Sequence, residues 1–260
     1  MSLYALLSPG GAPGVTTTAL GLSLTWPGPV IVAECDPAGG AILAGLFAGH
    51  LPAPRGLLGV AFEAGRRFAP LSTAPGGHLA ALDGSGRRML LAGLSDPRQA
   101  RGLAPAWPDI ARLLASQPCD VIADCGRLDA GSAQPVSVMA TAAVVVMVIR
   151  PTLRQVFAAR PRVEMLLELC GGPERIGILL IGHRGHTPAE ITKALGIPVL
   201  ARMPFDSRTA GMLSDGVGRR ASLADKPLIR AARSAGPAIS KAGRSGERPG
   251  LPATATGDRR

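Results

Sequence analysis

The chain has 260 residues, enough for one large domain or for a domain followed by a tail. Its formal charge is +10, which permits contact with nucleic acid or anionic lipid. Aromatic residues make up only 3 % of the chain, too few for a platform that stacks the bases of single-stranded nucleic acid.

Six short apolar runs are predicted to form β-strands. Each run is continuous rather than alternating, which is typical of a parallel strand covered on both faces. Helical patterns separate most of these runs, so the sequence predicts a doubly wound α/β fold with a mostly parallel sheet and helices on both faces. The runs are residues 3–7, 29–34, 119–124, 142–149, 175–181 and 198–204, and the helical patterns are 16–26, 96–117, 152–170 and 187–196.

Two stretches are harder to assign. Residues 50–95 are rich in Pro and Gly, with a short helix suggested at 56–65 and a strand at 87–93. From residue 234 the chain consists largely of Gly, Pro, Ser, Ala and Arg, which predicts a folded domain over 1–233 and a disordered basic tail over 234–260. Deleting 236–260 is therefore expected to leave the thermal transition nearly unchanged.

The four cysteines form no CxxC pair and are expected to be free thiols in a reduced, cytoplasmic setting. No basic segment followed by a long apolar run stands at the N-terminus, so no signal peptide is expected. The longest apolar stretch, 139–149, is too short to cross a bilayer. A weakly amphipathic helix at 226–241 leaves peripheral attachment to a membrane as an alternative.

Glycine-rich or polar segments follow four of the predicted strands, where a doubly wound sheet binds its ligand. After the first strand, backbone N–H groups and a helix start are expected to hold phosphates. Thr16 would reach a magnesium ion, Asp124 would hold that ion through water, and Asp36 would face the terminal phosphate. The phosphate-binding residues are expected to be Gly10, Gly11, Ala12, Pro13, Gly14, Val15, Thr16 and Thr17.

Each of these features alone also has a plainer interpretation: a turn, a helix cap or the end of a strand. Their order and placement together favour a phosphate site. His183 and His186 have HxxH spacing, but no Cys or acidic residue at ligand spacing completes a metal set, so a polar loop is expected there. A dinucleotide oxidoreductase is disfavoured because GGAPGV lacks the GxGxxG spacing.

With these motifs the chain resembles the ParA/MinD superfamily of deviant Walker A P-loop ATPases, and most closely its MinD-like actinobacterial members. The loop of that family reads GKGGxGKTT. The resemblance places its metal-binding threonine on Thr16, its Walker B aspartate on Asp124 and its water-orienting aspartate on Asp36 of ECDPAGG. Later RPT, ALGIPVL and MPFD segments also match, so the similarity spans residues 3 to about 232.

Both lysines of the family's loop are absent. The signature lysine, which reaches across a nucleotide-sandwich dimer in the family, falls on Gly10, and the phosphate lysine falls on Val15. The first lysine of the chain is Lys193. An arginine such as Arg127 or Arg184, or one from a partner, is the alternative source of a cation, although arginine cannot occupy the place of Val15.

The chain also has no asparagine to read adenine after the fifth predicted strand. His183 and Arg184 are the candidates for contact with the base instead. The resemblance therefore implies ATP and Mg²⁺ as cofactors, with weak binding and slow or lost hydrolysis.

Two functions follow from the resemblance. The first is a nucleotide-dependent positioning or partitioning protein that forms a homodimer or binds a partner protein, with DNA or an anionic membrane as a further surface for the basic C-terminal region. The alternative is a non-catalytic localisation scaffold similar to the TadZ/CpaE proteins of pilus and secretion systems. No small-molecule substrate other than a nucleotide is expected.

Overall fold

A computed structural model describes residues 1–11, 13–47, 55–63, 71–72, 77–129, 131, 133–216 and 223–246. These residues form an eight-stranded sheet in the order β3-β4-β2-β5-β1-β6-β7-β8, in which only the β3–β4 pair is antiparallel. The strands are β1 (Leu3–Ser8), β2 (Val30–Glu34), β3 (Leu79–Ala81), β4 (Arg88–Leu91), β5 (Asp120–Arg127), β6 (Val144–Ile149), β7 (Ile176–Ile181) and β8 (Val199–Met203).

Helices cover both faces of the sheet. One apolar core joins Trp107, Ile110 and Leu166 to one face, and a second joins Leu20 and Ile239 to the other. The predicted doubly wound α/β class is therefore confirmed. The helices are α1 (Val15–Thr25), α2 (Ile42–Leu46), α3 (Gly56–Glu63), α4 (Ala100–Leu103), α5 (Trp107–Ala115), α6 (Val136–Thr141), α7 (Leu153–Cys170), α8 (Pro188–Leu195), α9 (Ser207–Asp215) and α10 (Pro227–Gly246).

The six predicted strands all form, each within a few residues of its predicted bounds. The helix and strand suggested inside 50–95 also form, as α3 and β4. The sequence did not indicate β3, which is only three residues long and lies at the sheet edge. The single helix expected over 96–117 is instead divided into α4, a 3₁₀ turn and α5, since Pro105 and Pro108 lack the N–H that a continuous helix needs.

The predicted disordered tail is wrong for residues 234–246, which belong to α10. This helix packs along α1, and its Ala235 and Ile239 are buried. Small residues allow the close approach, because a Cβ added at Gly243 would lie 2.9 Å from the ring of Tyr4. Glycine and serine therefore mark a tightly packed helix face here rather than disorder, and residues 247–260 lie outside the described residues.

Replacing Ile239 by alanine is expected to destabilise the whole domain, because its side chain is fully buried between α10 and the sheet. Truncation of a buried isoleucine costs about 2–5 kcal/mol of unfolding free energy. Urea unfolding of Ile239→Ala measures this. The matched control is Lys241→Ala on the exposed side of the same helix, expected to change stability by less than about 0.5 kcal/mol. Equal stabilities for the two variants would show that α10 does not dock as described.

Candidate functional site

Several features of the described residues between β1 and α1 suit the binding of an anion. Gly14, just before the helix, has φ +99°, a left-handed conformation that glycine adopts without strain. A Cβ built on Gly10 or Gly11 would have no atom within 4 Å, so the outer side of the loop is open. The first amides of α1 have no carbonyl partner within the helix and can bind an anion. Ala12, also predicted here, lies outside the described residues.

Thr16 and Asp124 meet behind this loop. β1 pairs with β5 in parallel register, with Leu6 opposite Asp124, which brings the end of β5 under the start of α1. The Thr16 hydroxyl donates a hydrogen bond to the Asp124 carboxylate, and the Gly126 amide donates another at 3.0 Å. Two residues that are 108 positions apart in the sequence are thus in direct contact, as the phosphate-site interpretation requires.

Asp36 follows β2 at the same edge of the sheet. Its Oδ1 accepts a hydrogen bond from the Ala38 amide at 2.8 Å, which turns the chain there. Its carboxylate lies against Gly126, so closely that a Cβ at that glycine would overlap it. Asp36, Thr16 and Gly14 line one cavity of about 500 Å³.

Glu34 holds this part of the sheet edge together. One carboxylate oxygen accepts hydrogen bonds from the amides of Ala41 and Ile42 at the start of α2, at 2.7 and 2.9 Å. The other accepts one from Gly93 at 3.1 Å. These bonds fix the loop that carries Asp36, so the first acidic residue of ECDPAGG is structural.

Burial raises the pKa of Asp124 to about 7. Its side chain has almost no contact with solvent, and the nearby carboxylates of Asp36 and Glu34 raise the pKa further, whereas the bond from Thr16 lowers it. Burial also raises the pKa of Asp36. A divalent cation would relieve this repulsion, and hydroxyl and carboxylate oxygens are ligands that Mg²⁺ prefers. The residues present therefore fit a magnesium ion brought by phosphates.

Val15 stands where the phosphate lysine would be. Its side chain is only 6 % exposed and packs with Leu6 and Leu20 in the second apolar core, although it also touches the cavity. The loop thus offers backbone N–H groups but no cation of its own.

The cavity continues away from the loop toward the ends of β6, β7 and β8. Phe205 and Arg150 line it there, with the Arg150 guanidinium carbon 4.5 Å from the ring centroid of Phe205. The adjoining smaller cavity is lined by both residues together with Gly182, His183 and Arg184. The two predicted base contacts therefore lie at the far end from the phosphate loop, and their role stays a prediction.

Sequence reasoning did not identify Arg150 and Phe205, which line the cavity, or Gln155, which contacts the loop, as site residues. Gln155 is buried, and its Nε2 donates a hydrogen bond to the Gly10 carbonyl at 3.3 Å, tying α7 to the loop. Arg150 and Phe205 follow β6 and β8, so the rule that ligands lie beyond strand ends could have found both. Nothing in the sequence pattern marks Gln155.

Within the described ranges, no three His, Cys, Asp or Glu side chains are grouped as a metal would need, and no helix is long and apolar enough to cross a bilayer. The imidazole of His186 instead faces Glu190 at 3.9 Å.

No protein-family model and no curated protein matches the chain. Solved structures do. The septum site-determining protein MinD of Pyrococcus horikoshii, in complex with Mg-ADP, is 16 % identical over 92 % of this chain and 96 % of its own, with TM-score 0.72. A ParA family ATPase of Chlorobium tepidum is 18 % identical over 90 % and 97 %, with TM-score 0.67. The MinC:MinD cell division complex of Aquifex aeolicus is 17 % identical over 96 % and 98 %, with TM-score 0.61.

The chain therefore has the fold of P-loop nucleotide-binding proteins. More particularly, it has the fold of MinD and the ParA-family ATPases over nearly its whole length. The resemblance to the ParA/MinD superfamily that the sequence predicts is confirmed at the level of the fold.

The stability of the protein is expected to fall between about pH 4 and pH 7 through Asp124. Its pKa is about 7 when folded and about 3.9 in an unfolded chain, so the folded state binds the proton more tightly. The stabilising contribution of Asp124 is greatest below its pKa in the unfolded chain and is lost as the pH rises through its pKa in the folded protein. Urea unfolding at pH 5 and pH 8 should show a smaller loss of stability for Asp124→Asn than for the wild type. An identical loss of stability in the two proteins would show that the pH dependence does not come from Asp124.

A lysine introduced into the loop should lower the stability of the protein at position 15 but not at position 10. Val15→Lys places a charge in the apolar core and is expected to reduce the unfolding free energy by about 1–3 kcal/mol. Gly10→Lys enters open space and should change it by less than about 0.5 kcal/mol. Thermal and urea unfolding without nucleotide compare the two. A Val15→Lys protein as stable as the wild type would mean that the side chain escapes into the cavity.

Proposed function

We propose that this chain is a nucleotide-binding positioning or partitioning protein of the MinD/ParA type in which ATP hydrolysis is slow or absent. The observation that carries the proposal is the combination of an intact Thr16–Asp124 contact with a buried valine in place of the phosphate lysine. The first favours binding of a metal–nucleotide complex. The second removes a group on which phosphoryl transfer depends.

The bound state would use the residues as follows. Backbone N–H groups of the loop and of the first turn of α1 would receive the phosphate oxygens. Thr16 and Asp124 would hold a magnesium ion, which neutralises phosphate charge when bound. Asp36, at the edge of the cavity, would orient a water molecule toward the terminal phosphate.

Binding and hydrolysis should both be weakened, but to different degrees. A hydrogen bond to a charged group contributes about 1.5–3 kcal/mol, and about 1.4 kcal/mol corresponds to a factor of ten in affinity. Binding should therefore be roughly ten- to hundred-fold weaker than in a loop with its lysine. The rate should fall by roughly 10³-fold or more, because cations act most strongly on the charge that develops in the transition state.

The proposed partner surface lies on α7 beside the loop. Leu153 and Phe157 are one helical turn apart, on the same face, and are 72 % and 80 % exposed. Neighbouring exposed apolar side chains, unlike single ones, are typical of protein contacts. The related MinD of Aquifex aeolicus is found in complex with MinC, which supports a protein partner or a second copy here.

The exposed apolar side chains on α7 also favour the second candidate, a non-catalytic localisation scaffold. Such a scaffold would use the α7 surface whether or not nucleotide is bound. Sedimentation with and without Mg·ATP separates the two candidates: a nucleotide-dependent change of mass favours the first, and an unchanged mass with no nucleotide binding favours the scaffold.

A further contact is proposed for α10. Its basic residues are exposed and the helix has no acidic residue, so one side of it is positively charged. DNA or an anionic membrane surface would suit this charge. The residues concerned are Arg230, Arg233, Lys241 and Arg244.

Turnover of Mg·ATP by the purified wild type is expected to equal that of Asp36→Ala, because loss of both loop lysines has already removed most of the rate. Phosphate release over hours measures both, and the Asp36→Ala preparation also controls for contaminating ATPases. A robust wild-type rate that Asp36→Ala abolishes would contradict the proposal and would show that another cation acts in place of the lysine.

A further inference from the structure

A positively charged side chain, that of Arg150, lies at the end of the strand next to the phosphate loop. Arg150 is the first residue after β6, and Met147 of β6 pairs with Leu7 of β1. Arg150 lies three residues after Met147, and Gly10 lies three residues after Leu7. The two segments therefore leave the sheet at the same edge. The hydrogen bond from Gln155 to the Gly10 carbonyl confirms that this segment lies against the loop.

The guanidinium group of Arg150 is positioned but not neutralised. Its Nε is buried and has no hydrogen-bond partner. Its planar group lies over the ring of Phe205, and no ion pair to it is found within the part of the chain that the structure describes. Because a buried donor without an acceptor is costly, an acceptor supplied by a ligand would be favoured here.

The other arginines near the cavities are less suited to this role. Arg127 lines the larger cavity, but its Nε and Nη2 donate to Asp129 at 2.9 and 2.7 Å, so its charge is already paired. Arg184 lines the smaller cavity and not the larger one. Arg150 lines both, between the phosphate loop at one end and His183 at the other.

We propose that Arg150 supplies the positive charge for the phosphates of the bound nucleotide that the loop no longer supplies. This inference rests on the proposed function and names the residue that makes its binding step feasible. A guanidinium donates parallel hydrogen bonds to phosphate oxygens and keeps its charge at any physiological pH. Phosphates would thus be held by loop amides on one side and by the end of β6 on the other.

The test measures binding of three probes by calorimetry: Mg·ADP, magnesium tripolyphosphate and adenosine. Arg150→Gln removes the charge and keeps a polar, although shorter, side chain. It should weaken binding of Mg·ADP and tripolyphosphate by about ten- to hundred-fold, the effect of one charge-assisted hydrogen bond, and leave adenosine within about twofold. The matched control is Arg154→Gln, which removes an exposed charge on α7 that lines neither cavity and should change none of the affinities.

The outcomes separate the inference from the proposed function. If the wild type binds Mg·ADP and Arg150→Gln binds it equally well, the inference alone is overturned. An equal loss for adenosine would also overturn it, because Arg150 would then act on the base. If the wild type binds neither Mg·ADP nor tripolyphosphate, the proposed function fails and the inference fails with it. Should Arg150→Gln not fold, Arg150→Met, which also removes the charge, takes its place: a loss of about ten-fold or more for tripolyphosphate supports the inference, and an unchanged affinity overturns it.

Discussion

The candidate site depends on the carboxyl group of Asp124, which is buried with no countercharge from any residue that the structure describes. Hydrogen bonds from the Thr16 hydroxyl and the Gly126 amide hold it, while Asp36 and Glu34 add negative charge nearby. This arrangement joins three strands and the start of α1 at one point, because Asp124 of β5 lies opposite Leu6 of β1 on one side and Glu34 of β2 on the other. An apolar residue at position 124 would fit the core better, so the cost of burying the acid indicates a function in binding.

The charge around the loop also determines what kind of ligand is acceptable. With acidic side chains in place and both lysines gone, a free polyphosphate would meet net repulsion at the loop. A complex with a divalent cation reverses the local sign, since the metal would be the largest charge present. If the proposed function holds, the order of importance among the groups would differ from that of a loop with lysine: the backbone and the metal would come first, and Arg150 would act from the end of a neighbouring strand.

The fold was predictable from sequence where burial dominates. Continuous runs such as Val144–Ile149 are apolar because both faces of the sheet are covered, and each predicted run became a strand. The site residues at strand ends followed from the same rule. Arg150 was overlooked although it also follows a strand. Gln155 on α7 could not be found in this way, because its relation to the loop arises from the register of β6 against β1. The last helix was suggested over 226–241, but its second half was also assigned to a disordered tail, because Gly236, Pro237 and Gly243 suggest a flexible chain. Packing against Trp26 and Tyr4 compensates for their low helix propensity.

The close packing of α10 on α1 has a consequence for how the protein is made. The helix that begins at the phosphate loop, α1, is synthesised long before α10, the helix that covers it. Until Ile239 has been synthesised, the apolar surface around Leu20 and Trp26 is left uncovered. Chains usually fold in whole domains, so this one must wait until its C-terminal helix has left the ribosome before the loop is fixed. A nascent chain stalled short of that helix would expose this surface to chaperones and would not yet contain the candidate site in its folded form.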